Sequence, residues 1–97
     1  MMPNKVKIGG ITYPVSFDKD NELVCGNLDG EIRYTVPEIV LKSTLTGDYK
    51  EQVFLHEVIH GIFNAMGRSD LRVDEVLVDS FSQMLYQVLK DNNISFN

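Results

Sequence analysis

The stretch HEVIH at residues 56–60 lies inside a long apolar run and decides how the rest of the chain is interpreted. Residues four apart in an α-helix share a face one turn apart, so His56 and His60 can both reach one Zn²⁺. Glu57 lies about 100° further round the helix, too far to join the same ligand set. It can still contact a water beside the metal and act as a general base. The motif therefore predicts a metal site with a neighbouring carboxylate.

The residues around this motif predict a helix that is largely buried. Asp48 followed by Glu51 has the spacing of a capping box, so we expect the helix to run from about Tyr49 to Met66. Gly67 is expected to end it in the left-handed conformation. Apolar side chains cover a broad arc of this helix, and the two histidines lie at the border of that arc. This pattern predicts a helix packed into a core, with its histidines beside a cleft.

A second helix is predicted from about Asp74 to Lys90, and it carries the candidates for a third metal ligand. Catalytic zinc usually has three protein ligands, and ligand histidines usually donate their other N–H to an acceptor. Glu75 and Asp79 lie one turn apart on a polar stripe at the edge of the apolar arc. We therefore expect Glu75 to bind the metal and Asp79 to accept from a histidine. Acidic residues also favour the positive N-terminal end of any helix, which is the alternative explanation.

These two motifs together resemble those of the gluzincin metallopeptidases. The pattern E-x-x-V-D-x-F-S-x-x-L at residues 75–85 is similar to the second motif helix of the ImmA/IrrE family, and the similarity spans roughly residues 30–90. The resemblance implies a cytoplasmic endopeptidase, often encoded by phages or mobile elements, that cleaves a protein such as a repressor. It also implies Zn²⁺ bound by His56, His60 and Glu75, with Glu57 as the catalytic base.

Three further residues are candidates for contacts with substrate or with a developing oxyanion. Arg68 and Arg72 lie in the predicted link between the two helices, and Tyr34 lies in a predicted strand. Arginine guanidinium groups and tyrosine hydroxyls can both donate hydrogen bonds to a carbonyl oxygen. Loop arginines are more often solvated, and a tyrosine in a strand is more often part of the core.

The first half of the chain has the alternation of β-structure. A tight turn is expected at Gly9-Gly10, between the first two strands. Strands are predicted at Val6–Ile8, Ile11–Phe17, Glu22–Cys25, Glu31–Val36 and Ile39–Leu41. Because strands and helices are segregated along the chain, we expect an α+β fold. Its predicted form is one domain spanning residues 1–97, with a small antiparallel sheet of about four strands followed by two packed helices.

Composition narrows the classes of partner. A net charge of −5 argues against a nucleic-acid-binding surface, which is normally basic. The single cysteine allows no internal disulfide, which suits a reducing cytosol. No apolar run approaches the ~20 residues that span a bilayer, so we expect a cytoplasmic protein without membrane contacts.

The sequence leaves three functions to distinguish. The first is a zinc endopeptidase that holds an extended peptide against an edge strand, either Glu31–Val36 or Glu38–Lys42. The second is a zincin-like module that binds a partner protein with little or no catalysis. The third is a metal-free helical core in which the HEVIH motif is a coincidence. An intact Glu57 disfavours the second, because a purely structural metal site needs no base.

Overall fold

A computed structural model describes residues 2–18, 29–94 and 96 of the chain. Within these residues, four strands come first, followed by three helices, two of them long. The elements are β1 (Lys5–Ile8), β2 (Ile11–Asp18), β3 (Gly30–Arg33), β4 (Glu38–Lys42), α1 (Gly47–Ala65), α2 (Ser69–Arg72) and α3 (Glu75–Asp91). The α+β class and the four-stranded sheet followed by helices are as the sequence predicts. The predicted strand Glu22–Cys25 lies outside the described residues.

The sheet has the strand order β1-β2-β4-β3, and it is mixed, where a wholly antiparallel sheet was predicted. β1 and β2 form the expected hairpin, in which Gly9 and Gly10 have φ of 58° and 86°, as a type I′ turn requires. β3 and β4 form a second antiparallel hairpin. β4 takes the place beside β2 and runs parallel to it, with Val15 opposite Ile39. Which strand of one hairpin pairs with the other hairpin depends on contacts between distant residues. The alternation of polar and apolar residues within each strand could not predict it.

Strand β3 is shorter than predicted, and it lies at one edge of the sheet that the described residues form. The predicted strand continued to Val36, but residues 34–37 form the turn of the second hairpin. Pro37 has no N–H to donate to a ladder and fixes its own φ, which favours a turn at this point. Of the two strands proposed as the edge, β3 is the edge and β4 is central.

The helix α1 separates two apolar clusters. Strand β4 supplies the centre of the first, because Ile39 and Leu41 are fully buried there against α1 and the other strands. The second cluster joins α1 to α3 through Ile59, Phe63 and Val78. These two contacts fix α1 on both sides, so the polar residues along its remaining edge hold a defined position.

The ends of α1 differ in how well the sequence predicts them. Thr46 is the N-cap and makes no side-chain capping bond, so the predicted capping box is wrong. Glu51 instead accepts hydrogen bonds from Tyr86 Oη at 2.7 Å and Lys90 Nζ at 2.8 Å. The C-terminal end is as predicted, since Gly67 has φ of 73° and follows the last helical turn. A glycine that ends a helix can be identified from the residues next to it. The hydrogen-bond partner of a long side chain depends on contacts with distant residues, so the local sequence does not predict it.

The link between the two long helices contains the short helix α2, which the sequence analysis did not predict. Arg68 N–H donates to Phe63 carbonyl oxygen at 3.0 Å and Gly67 N–H to Asn64 carbonyl oxygen at 3.0 Å, which is a Schellman motif. Asp74 then caps α3, because its side chain accepts from Leu77 N–H at 3.1 Å. Among the described residues, no helix is both long and apolar enough to cross a membrane.

Candidate metal centre

His56 and His60 project from α1 towards the first turn of α3. Their ring centroids are 5.0 Å apart. The Nε2 atom of His56 lies 3.4 Å from Glu75 Oε2, and that of His60 lies 3.1 Å from Glu75 Oε1. One ligand atom from each of the three residues lies within 4.8 Å of the other two. This group, which the sequence analysis named as the ligand set, could therefore hold a metal ion.

The hydrogen bond made by His60 favours a tautomer that fits a metal between the two histidines. His60 Nδ1 lies 2.7 Å from the carbonyl oxygen of Arg72. A carbonyl oxygen only accepts, so Nδ1 carries the proton and Nε2 presents a lone pair towards Glu75. In that tautomer the Nε2 atom of His60 is available to bind a cation held beside Glu75. Two nitrogens and one oxygen form a donor set that Zn²⁺ accepts, so the residues present fit this ion.

Asp79 lies beside His56, on the side away from Glu75. Its Oδ1 is 3.5 Å from His56 Nδ1, and its Oδ2 accepts a hydrogen bond from Gln83 at 3.0 Å. Asp79 is therefore placed where the sequence analysis expected an acceptor for a ligand histidine. The acceptor of His60 was missed, because it is the backbone carbonyl of Arg72 and no side-chain pattern identifies it.

We expect Asp79→Ala to weaken zinc binding by about 10–100-fold, since acceptors behind ligand histidines contribute on that scale. The physical reason is that His56 would lose the group that orients its ring. Competition with a coloured chelator would measure the affinity. Asp91→Ala is the matched control, because Asp91 lies on the same helix and accepts a hydrogen bond from Gln87. Equal zinc affinity in the Asp79→Ala variant and the control would contradict this role.

Glu57 lies against the sheet, and only 6% of its surface is exposed. Burial raises the pKa of its carboxyl to about 8, and the negative charges of Glu75 and Glu31 add to the rise. A cation at the histidines would favour the ionised form and oppose this shift. The side chain nevertheless lines the cleft beside both histidines, so it can contact a small molecule there.

The pKa of Glu57 predicts how the stability of the metal-free protein depends on pH. Because the folded-state pKa of about 8 exceeds the ordinary 4.5, the folded chain retains a proton that the unfolded chain loses between these values. The free energy of unfolding should therefore fall as pH rises through this window, by on the order of a few kcal/mol. Glu57→Gln should remove most of the fall. Urea denaturation of wild type and Glu57→Gln, in excess chelator at about pH 5 and about pH 8, measures this fall in each protein. An equal fall in the two proteins would show that Glu57 does not cause it.

Two cavities open on either side of Glu57 and share Gly30, His56 and Glu57 in their walls. The first, of about 300 Å³, extends between α1 and α3 towards Asp79 and Gln83. The second cavity, of about 390 Å³, extends past His60 towards Arg72 and Glu75. Together they form one cleft that runs alongside the edge strand β3.

Two of the three candidate contact residues lie at this cleft. Tyr34 and Arg72 line the larger cavity together with His60 and Glu75. Arg68 lines neither cavity beside the histidines, because its guanidinium pairs with Asp70 at 2.8–3.0 Å. Burial raises the pKa of Tyr34, and the neighbouring Arg72 guanidinium opposes that rise.

The chain matches no protein-family model, no curated protein and no solved structure. The decisive features are the grouping of His56, His60 and Glu75, and the buried Glu57 beside them.

Proposed function

We propose that this protein is a zinc-dependent endopeptidase. The observation that carries the proposal is that Glu57 lies buried beside the His56, His60 and Glu75 group, at the point where the two cavities meet. A purely structural metal site has no use for a carboxylate that lines an open cleft. Such a carboxylate is what a hydrolase needs to accept the proton of an attacking water.

Different residues of the chain have different roles in the proposed hydrolysis. His56, His60 and Glu75 would hold Zn²⁺, which supplies Lewis acidity that polarises a carbonyl and lowers the pKa of a water towards ~7. Glu57 accepts the proton from the attacking water and passes it to the amide nitrogen as the C–N bond breaks. Asp79 and the Arg72 carbonyl keep the two histidines in the tautomer that leaves Nε2 free.

The edge strand β3 supports an extended substrate. An edge strand can add a peptide as a further strand through backbone hydrogen bonds. Gly30 of β3 lines both cavities, and Glu31, Ile32 and Tyr34 line the larger one. A peptide paired along β3 would therefore pass in front of Glu57 and the two histidines. This arrangement supports the proposal that the substrate is a protein or peptide in an extended form.

The similarity of the two motifs to the ImmA/IrrE family supports a narrower form of the proposal. By that resemblance the protein works in the cytoplasm, and its substrate is a regulatory protein such as a repressor of a phage or mobile element. The net charge of −5 agrees with a protein that acts on another protein and has no nucleic-acid-binding surface.

A zincin-like binding module is the second candidate, and one observation favours it. The Glu75 side chain is 70% exposed, so the ligand group lies near the surface with few walls to enclose a reacting peptide bond. Water exclusion strengthens the electrostatic effects on which hydrolysis depends, and an open site has less of it. In this candidate the groove beside β3 holds a partner protein without cleaving it.

Metal content and peptide cleavage, measured on the same preparation, test the proposal. We expect one zinc per chain by elemental mass spectrometry. We also expect cleavage of a broad peptide library that a chelator stops and added zinc restores. Zinc without cleavage would favour the binding module. A folded protein that takes up no zinc would favour the coincidental motif and would contradict the proposal outright.

A further inference from the structure

Arg72 contributes a positive charge to a cleft whose other charged side chains are carboxylates. The larger cavity is lined by Glu31, Glu57 and Glu75 as well as by Arg72. The guanidinium lies over the Tyr34 ring, with its carbon 5.4 Å from the ring centroid. This stacking holds the flat cation in place without neutralising its charge.

Arg72 forms no ion pair with any carboxylate in the part of the chain that the structure describes. The other arginines in that part differ, since Arg33 pairs with Glu38 at 3.3 Å and Arg68 with Asp70 at 2.8 Å. The Nε atom of Arg72 is buried and has no hydrogen-bond partner. Arg72 therefore pairs with none of the three carboxylates that line the same cavity, and its side chain interacts with that of Tyr34.

The backbone of Arg72 is tied to the metal ligands. Its carbonyl oxygen accepts from His60 Nδ1 at 2.7 Å. The position of the side chain is therefore coupled to the position of a histidine that would bind the metal. Of the side chains that line this cavity, only that of Arg72 carries a charge that would attract a developing anion at every pH near neutrality.

We infer that Arg72 is a catalytic residue that donates a hydrogen bond to the scissile carbonyl oxygen as that oxygen becomes negative. This inference rests on the proposed peptidase function. The carboxylates around the cleft would repel an oxyanion, and a positioned donor reverses that effect. Arg72 is the donor that the cavity offers, together with the hydroxyl of Tyr34.

The step balances without any further reactant. The water oxygen forms a bond to the carbonyl carbon while Glu57 takes its proton, and the π electrons of the carbonyl move onto its oxygen. Arg72 donates to that oxygen throughout and keeps its own proton. When the carbonyl re-forms, the C–N bond breaks, and the proton held by Glu57 goes to the leaving amine.

Side-chain variants of Arg72 can test this role without disturbing His60, because the acceptor of His60 is a backbone atom. We expect Arg72→Gln to lower kcat by about 10²–10³-fold, the loss seen when one oxyanion donor is removed, while KM stays within about threefold. Arg68→Gln is the matched control, since Arg68 is a nearby arginine already paired with Asp70. Tyr34→Phe keeps the ring under the guanidinium and removes only the hydroxyl.

A binding measurement adds a readout that does not depend on turnover. A phosphinic peptide imitates the tetrahedral oxyanion, whereas a hydroxamate of the same peptide binds the metal through a planar group. With zinc-loaded proteins, we expect Arg72→Gln to lower the affinity for the phosphinic peptide by about 10²-fold. The affinity for the hydroxamate should fall by less than about threefold. Arg72→Lys keeps the positive charge but lacks the planar guanidinium, so we expect an intermediate loss of affinity for the phosphinic peptide. If Arg72→Gln does not fold, the Arg72→Lys variant is measured in its place.

Four results would overturn the inference, and the last of them also overturns the proposed function. Arg72→Gln and Arg68→Gln with equal kinetics and equal phosphinic affinity would remove Arg72 from catalysis. A rise in KM confined to peptides with a free α-carboxylate would show that Arg72 binds a substrate terminus. Loss of kcat in Tyr34→Phe alone would assign the role to the hydroxyl. Zinc-loaded wild type that neither cleaves peptides nor binds either inhibitor would refute the peptidase itself.

Discussion

Replacing Glu57 with glutamine is expected to reduce peptide cleavage by at least about 10²–10⁴-fold, the usual contribution of a positioned general base. Glutamine has nearly the same size and polarity, and Glu57 is 6% exposed, so the replacement fits the same space. Zinc content should not change, because Glu57 is not part of the ligand group. Mass spectrometry of a peptide library or host lysate, incubated with each zinc-loaded protein, measures the loss.

Peptide binding should survive this change, since it depends on the edge strand and the metal. Fluorescence polarisation with a peptide that wild type cleaves would measure it. Glu51→Gln is the matched control, because Glu51 lies on the same helix and bonds to Tyr86 and Lys90, remote from the histidines. Equal cleavage by wild type and Glu57→Gln would contradict the mechanism. Absence of cleavage by wild type, with binding retained in both, would favour the binding module.

Much of the candidate site was predictable because its information is local. The i, i+4 spacing of His56 and His60 and the polar stripe of Glu75 and Asp79 are properties of single helices. Each stripe adjoins an apolar arc, and the two arcs pack together through Ile59, Phe63 and Val78. Once the arcs meet, the adjacent polar edges must also meet. Two local patterns were therefore enough to predict which side chains would converge.

The features that sequence reasoning missed depend on contacts between distant parts of the chain. The sheet is mixed because one hairpin docks its central strand β4 against β2, and no residue pattern within either hairpin encodes that choice. Glu51 lost its predicted capping role because Tyr86 and Lys90 lie close to it in the fold. Arg68 and Arg72 are equivalent candidates in the sequence, but their contacts in the fold differ. Arg68 pairs with Asp70, whereas Arg72 lies over the Tyr34 ring.

The arrangement of the cleft explains why these particular contacts matter. The link between the long helices is short, and its Schellman turn and the helix α2 bring the Arg72 carbonyl to His60. The cap at Asp74 begins α3 so that Glu75 falls in its first turn, opposite both histidines. Each local feature of the link therefore helps to fix the position of His60 on α1 relative to Glu75 on α3.

Replacing Glu75 with glutamine should weaken zinc binding more than the loss of Asp79 does, by well over about 10²-fold. A neutral amide oxygen is a poor substitute for a carboxylate, and the two histidines would then lack a third protein ligand. Wild type in zinc at 100 times its dissociation constant should gain about 2.7 kcal/mol of stability, and the variant should gain little. Chelator competition measures the affinity, and thermal unfolding with and without zinc measures the gain.

The folded state should tolerate this change, because the Glu75 side chain is 70% exposed and makes no contact with the apolar clusters. Asp91→Asn, on the same helix, controls for the loss of one negative charge. If Glu75→Gln keeps the wild-type affinity, another group must complete the site, and Asp79 is the nearest carboxylate to His56 that remains. The double variant Glu75→Gln with Asp79→Asn distinguishes these cases. Loss of zinc in the double variant alone would assign the third ligand to either carboxylate, and retention would exclude both.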